Sequence, residues 1–145
     1  MFRIHSQSDL IECFRDSERE DIVLPENIRF PIVIKDYLSW IEPSGAKAFL
    51  VFSDLGGKKP LGVVFRRGSG STVALCDWCH SMSGGEGVGL LTARATPSRR
   101  VGVHVCSDLS CADKIRGNLA FQGTERLRIR AVIERMSKSA RQNLF

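Results

Sequence analysis

Cys76-Asp77-Trp78-Cys79 and Cys106-Ser107-Asp108-Leu109-Ser110-Cys111 decide how this chain reads. Together they give C-x2-C, 26 intervening residues and C-x4-C. Zinc favours four tetrahedral ligands, with each sulfur about 2.3 Å from the metal. A C-x2-C turn lets two thiolates converge while the backbone N–H groups between them share the charge. Working outward, residues 88–93 and 101–105 read as a strand pair joined by residues 94–100, and residues 111–118 read as a short helix. The order is knuckle, strand pair, then a helix carrying the last ligand on its first turn, which is the order of a treble-clef zinc site. The start of that helix favours the thiolate charge.

The spacing therefore predicts one structural zinc ion on Cys76, Cys79, Cys106 and Cys111. A redox dithiol at Cys76 and Cys79 is a competing reading, but the thioredoxin-like βαβ setting is missing. An iron–sulfur cluster is another. Catalytic zinc keeps three protein ligands and one open position, whereas four thiolates close the shell. His80 reads as a surface residue beside the knuckle. His104, two residues before Cys106, is expected on the same side of the strand, close enough to pack or hydrogen-bond near the site. Outside the cysteines the sequence offers no Ser–His–Asp arrangement, phosphate loop or carboxylate pair. Gly84-Gly85-Glu86-Gly87 lacks a strand-to-helix setting and reads as a flexible turn. We expect no enzyme.

The 145 residues are read as one domain, 43% hydrophobic and 26% charged, ordinary values for a globular chain. No apolar run approaches the ~20 residues of a membrane span. The first ten residues lack the apolar stretch of a signal peptide, so a cytoplasmic protein is expected. In a reducing compartment clustered cysteines more often hold metal than form disulfides. Residues 1–111 balance 13 Lys/Arg against 13 Asp/Glu; residues 112–145 carry eight basic and three acidic groups, the whole excess of +5. Four thiolates and one dication contribute −2, which weakens the basic balance as a sign of nucleic-acid binding.

Residues 8–19 suit a short N-terminal helix capped by Ser8, with Cys13 a small buried hydrophobe near its apolar face. Residues 22–40 read as irregular, apolar-rich packing anchored by Tyr37 and Trp40, with a short helix weakly signalled at 35–41. Residues 46–52 and 61–66 read as strands joined by a tight link at 56–60, and Gly68-Ser69-Gly70-Ser71 breaks the chain again. Residues 124–143 form the best helix, with Ile129, Val132, Ile133, Met136 and Ala140 at spacings of three and four. Its basic residues read as a solvated face or a polyanion-binding one. The predicted domain comprises an N-terminal helix (1–20), an irregular segment and strands (21–75), the treble clef (76–118) and an amphipathic helix (124–145). The fold class is α+β: a small antiparallel sheet with a treble-clef zinc finger and a C-terminal helix.

The segment CDWCHSMSGGEGVGLLTA (76–93), followed by RRVGVHVCSDLSCADKIRG (99–117), resembles the zinc domain of the FBP family. This family includes the elongation-factor-G-binding, fusidic-acid-resistance proteins. LPE at 24–26, WIEP at 40–43, the strand at 46–52 and LGVVFRR at 61–67 are also similar, so the resemblance spans roughly residues 20–118. It implies a treble-clef finger packed with a small sheet, and a role beside elongation factor G or the ribosome. In the resistance proteins the factor is gripped and released from drug-stalled ribosomes. Those proteins carry a helical domain ahead of the zinc domain, whereas about 20 residues precede the resemblance here. Only the four zinc ligands carry over residue by residue.

Two function classes follow. The first is a non-catalytic binding module that docks on elongation factor G or another translation component through Trp78, His80, Arg99 and Arg100. Trp and Arg are favoured interface anchors, although Trp78 equally suits inward packing. The second is RNA or DNA binding through the finger and the basic C-terminal helix, against which stands the scarcity of aromatics for base stacking. No membrane association is expected, and the sequence does not specify the oligomeric state.

Overall fold

The computed structural model of the protein describes residues 2–53, 59–68, 74–83 and 87–144. The turns read at 56–60, 68–71 and 84–87 lie largely outside the described residues. In chain order the elements are β1 (Phe2–Ile4), α1 (Gln7–Glu12), β2 (Ile32–Ile34), β3 (Tyr37–Ile41), β4 (Lys47–Ser53) and β5 (Pro60–Arg67). They continue with β6 (Ala74–Leu75), β7 (Met82–Ser83), β8 (Val88–Thr96), β9 (Arg99–Cys106), α2 (Cys111–Gly117) and α3 (Glu125–Asn143). One antiparallel sheet runs β3-β4-β5-β8-β9, while β1 pairs with β2 and β6 with β7. No helix among the described residues is long and apolar enough to cross a membrane.

The sheet has a core on each face, and β4 shows why. Its residues 48–52 are all buried, and strand alternation sends neighbours to opposite sides. Ala48, Leu50 and Phe52 face a core that includes the cysteine loops, α2 and α3. Phe49 and Val51 face a second core with Ile4, Leu10, Phe14 and Ile34. Helix α3 contributes Ile129, Val132, Ile133, Met136 and Ala140 to the first core, the stripe that its periodicity predicts. On the second face, a Cβ at Gly62 would lie 2.7 Å from the Phe14 ring, and the Gly62 N–H donates to the Cys13 carbonyl at 2.8 Å. Glycine is required there by close approach.

Three local expectations are corrected. The N-terminal helix stops at Glu12 and is followed by a 3₁₀ helix at Asp16–Asp21. Ser6, not Ser8, caps α1, its hydroxyl accepting from the Asp9 N–H at 3.2 Å. The chain then leaves the helix so that Phe14 can seat on Gly62. Cys13 is half-buried, and burial, then Asp9 and Glu12, push its thiol up to about 11, as suits an inert packing group.

The second correction concerns residues 35–41, which hold strand β3 rather than a helix. A helix would place Tyr37 and Trp40 on one side; a strand separates them. Trp40 stacks on Phe49 at 5.1 Å between ring centroids, in the second core. Tyr37 packs against the first. The irregular stretch before it likewise contains β2. Finally, β8 and β9 extend to Thr96 and Arg99, leaving only residues 97–98 as the turn. Most of the polar connection read at 94–100 is thus paired strand, with a bulge between Arg94 and Thr96.

Candidate metal centre

Each cysteine is delivered by a different local device. Cys76 and Cys79 flank the knuckle turn, closed by the His80 N–H donating to the Cys76 carbonyl at 2.8 Å. His80 takes a left-handed backbone, φ 62°. The knuckle is tied to the sheet by the Asp77 N–H, which donates to the His104 carbonyl at 2.8 Å. Cys106 ends β9 and Cys111 opens α2. Between them, the Leu109 N–H donates to the Cys106 carbonyl at 2.9 Å, with Leu109 itself left-handed at φ 60° and buried.

That second loop is held from the sheet. The Tyr37 hydroxyl donates to the Leu109 carbonyl at 2.6 Å and accepts from the Ala112 N–H at 3.0 Å. One phenol thus satisfies a loop carbonyl and a first-turn amide of α2. Arg67 on β5 donates to the Ser107 carbonyl at 2.9 Å. Asp36 and Arg116 pair across the start of β3 and α2.

The four Sγ atoms lie within 4.8 Å of one another. Cys76 and Cys111 are 3.7 Å apart, and Cys79 and Cys106 3.6 Å. Tetrahedral zinc with 2.3 Å bonds requires edges of about 3.8 Å, so the donor set fits the ion in spacing and in chemistry. Four thiols this close cannot all ionise without a cation. Hydrogen bonds from Cys106 and then Cys111 push Cys76 down to about 6 and hold Cys79 well below the ordinary thiol range. Cys111, bonded to Cys106 first and then to Cys76 and Cys79, is pushed far above it. A dication removes that conflict. The protein holds one structural zinc ion.

Sequence reasoning missed the groups around the sulfurs. Lys114 donates from Nζ to Cys106 Sγ at 3.2 Å and to the Gly87 carbonyl at 3.5 Å. Burial is the largest single influence and opposes its charge, but the hydrogen bond to Cys106 together with the negative charges of Cys106, Cys79 and Asp108 outweighs it, and the ammonium is held above its ordinary range. It offsets one of the two net negative charges of a zinc–tetrathiolate. Ser81 Oγ lies 3.1 Å from Cys79 Sγ and 3.8 Å from Cys106 Sγ. Lys114 stands three residues after Cys111, one helical turn on, the only sequence signal that could have found it.

A family model for the FBP C-terminal treble-clef zinc-finger matches residues 7–145. The chain belongs to this FBP family. The match extends beyond residues 20–118 at both ends, taking in α1 and α3. Among solved structures, that of the fusidic acid resistance protein FusC matches this FBP chain with a TM-score of 0.59 and 14% identity. The match covers 99% of this chain and 60% of that one, so the chain spans 60% of FusC's length. At that identity the likeness is one of fold. No curated protein matches the sequence.

The other residues singled out in the sequence are scattered. Trp78 is 4% exposed and packs edge-on against Phe65 at 6.0 Å, and its carbonyl accepts from Arg135 at 2.6 Å. It is an inward anchor for the knuckle, not a contact surface. His80 is exposed beside the zinc site, as expected. The His104 side chain is exposed, and only its carbonyl serves the knuckle. Arg99 and Arg100 are exposed but lie at the far end of β9 from Cys106, roughly 24 Å along the strand. These four residues do not form one rim.

Proposed function

We propose that this FBP chain is one domain, a non-catalytic cytoplasmic docking module whose partner is elongation factor G or another translation component. The observation that carries the reading is the fold match to a fusidic acid resistance protein along 99% of the chain, within a zinc-finger family. The metal fits a structural role, because four thiolates leave no coordination position for a substrate. Its binding energy is then largely folding energy. Of the contact residues read from sequence, His80 remains beside the knuckle; Arg99 and Arg100 belong to a different region. Calorimetric titration of the zinc-loaded chain with purified elongation factor G tests the reading. Saturable one-to-one binding supports it, and absence of binding at tens of micromolar rejects it.

The nucleic-acid reading through α3 is less favoured. Arg128 sits over the Phe121 ring at 3.8 Å, Arg130 pairs with Glu134 at 3.6 Å, and Arg135 donates to the Trp78 carbonyl. At least half of the helix's six basic residues are thereby engaged within the chain.

A further inference from the structure

On the sheet face away from the zinc, four cations gather where no sequence motif announces them. Register places Lys47 opposite Arg66, and Arg94 opposite Arg100. Arg66 is opposite Thr92, two residues from Arg94. Alternation puts all four side chains on the face shared with Phe49, Val51 and Val64. Like charges directly opposite on neighbouring strands destabilise a sheet, and here two such pairs stand side by side.

These side chains line a cavity of about 120 Å³ with Val64, Glu18 and Asp21, room for about four water molecules at liquid density. The two carboxylates do not neutralise it. Glu18 accepts from Arg15 at 2.9 Å (Nε) and pairs with it at 2.8 Å (Nη2). Asp21 is 3.9 Å from Lys47. Among the described residues, the Arg66 and Arg94 guanidinium groups take part in no hydrogen bond or ion pair. Arg100 donates to the Thr92 carbonyl at 3.0 Å and to the Thr92 hydroxyl, and its ionised form is disfavoured by burial, then by Arg66 and Arg94, which together outweigh the opposing charge of Glu18. The cavity lies where the N-terminal segment stops covering the sheet and the open face of β8 and β9 begins.

The geometry points to a binding site for one phosphate group, held by Arg66, Arg94 and Arg100 with Lys47 at its wall. Guanidinium forks match tetrahedral oxyanions in bidentate geometry, and a bound phosphate anion would relieve the repulsion that the arrangement carries. The phosphate is either a free or monoester phosphate or one phosphodiester of an RNA strand. The inference is independent of docking on elongation factor G.

Calorimetry on the zinc-loaded full chain with inorganic phosphate, uridine 5′-monophosphate and a short single-stranded RNA tests it. At least one probe is expected to bind, and the tightest identifies the source of the phosphate. The double variant Arg94→Gln/Arg100→Gln should weaken that binding at least tenfold, while Arg126→Gln on α3 leaves it unchanged. In phosphate-free buffer the double variant should melt at a higher temperature than the parent, because repulsion is relieved, and should gain nothing from added phosphate. Should that variant not fold, Arg66→Gln carries the same pair of readouts. The proposal is overturned if no probe binds up to about 10 mM, or if the variants bind like the parent. Tighter binding of an acidic peptide than of any phosphate probe also overturns it.

Discussion

Lys114 is the residue that most separates holding zinc from merely having four cysteines. It sits 3.2 Å from Cys106 Sγ, where its charge offsets part of the thiolate excess. Groups that hydrogen-bond metal ligands typically alter affinity by 10–100-fold. Lys114→Met should therefore weaken zinc binding by about that factor in a chelator competition, with the fold retained when zinc is in excess. Cys111→Ser should act more severely. Structural zinc contributes on the order of 10 kcal/mol, comparable to the whole stability of a domain, so the variant should lose cooperative thermal unfolding. Gly62→Ala tests the other core. A methyl 2.7 Å from the Phe14 ring forces a shift costing about 1–3 kcal/mol, measurable as a lower urea midpoint.

At the scale of elements, β3 joins the two halves of the molecule. Trp40 stacks into the second core, and Tyr37 reaches the loop between Cys106 and Cys111. Tyr37→Phe strands the Leu109 carbonyl and the Ala112 amide, and should cost about 1–3 kcal/mol in chemical denaturation. Hydrogen exchange should show the loss concentrated in α2. This strand was the least legible element in the sequence. It is short, follows two prolines, and its pattern alternates between two cores rather than between core and solvent, so no apolar face stands out. The long helix and the two cysteine pairs were legible because each carries its own signal, a 3.6-residue period and a ligand spacing. The strand ends at 94–100 were hidden for the opposite reason. Their outward positions are arginines, which read as loop until pairing shows them to be one polar face. Lys114 and the Arg94–Arg100 pair have no motif; only folding brings them to their partners.

For the molecule as a whole, zinc organises one face of the sheet and the N-terminal segment the other. Cys76, Cys106, Cys111 and the knuckle's Trp78 belong to the same core as α3. Chelation should therefore remove exchange protection first from the knuckle, α2 and α3, while β1 and β2 are affected later. In the proposed role the metal supplies shape and not chemistry. The most direct test of that claim is X-ray absorption at the zinc edge on the purified chain. The account predicts one zinc per chain with four sulfur scatterers at about 2.3 Å. Fewer sulfurs with an oxygen or nitrogen in the remaining position, or no bound zinc, would contradict it.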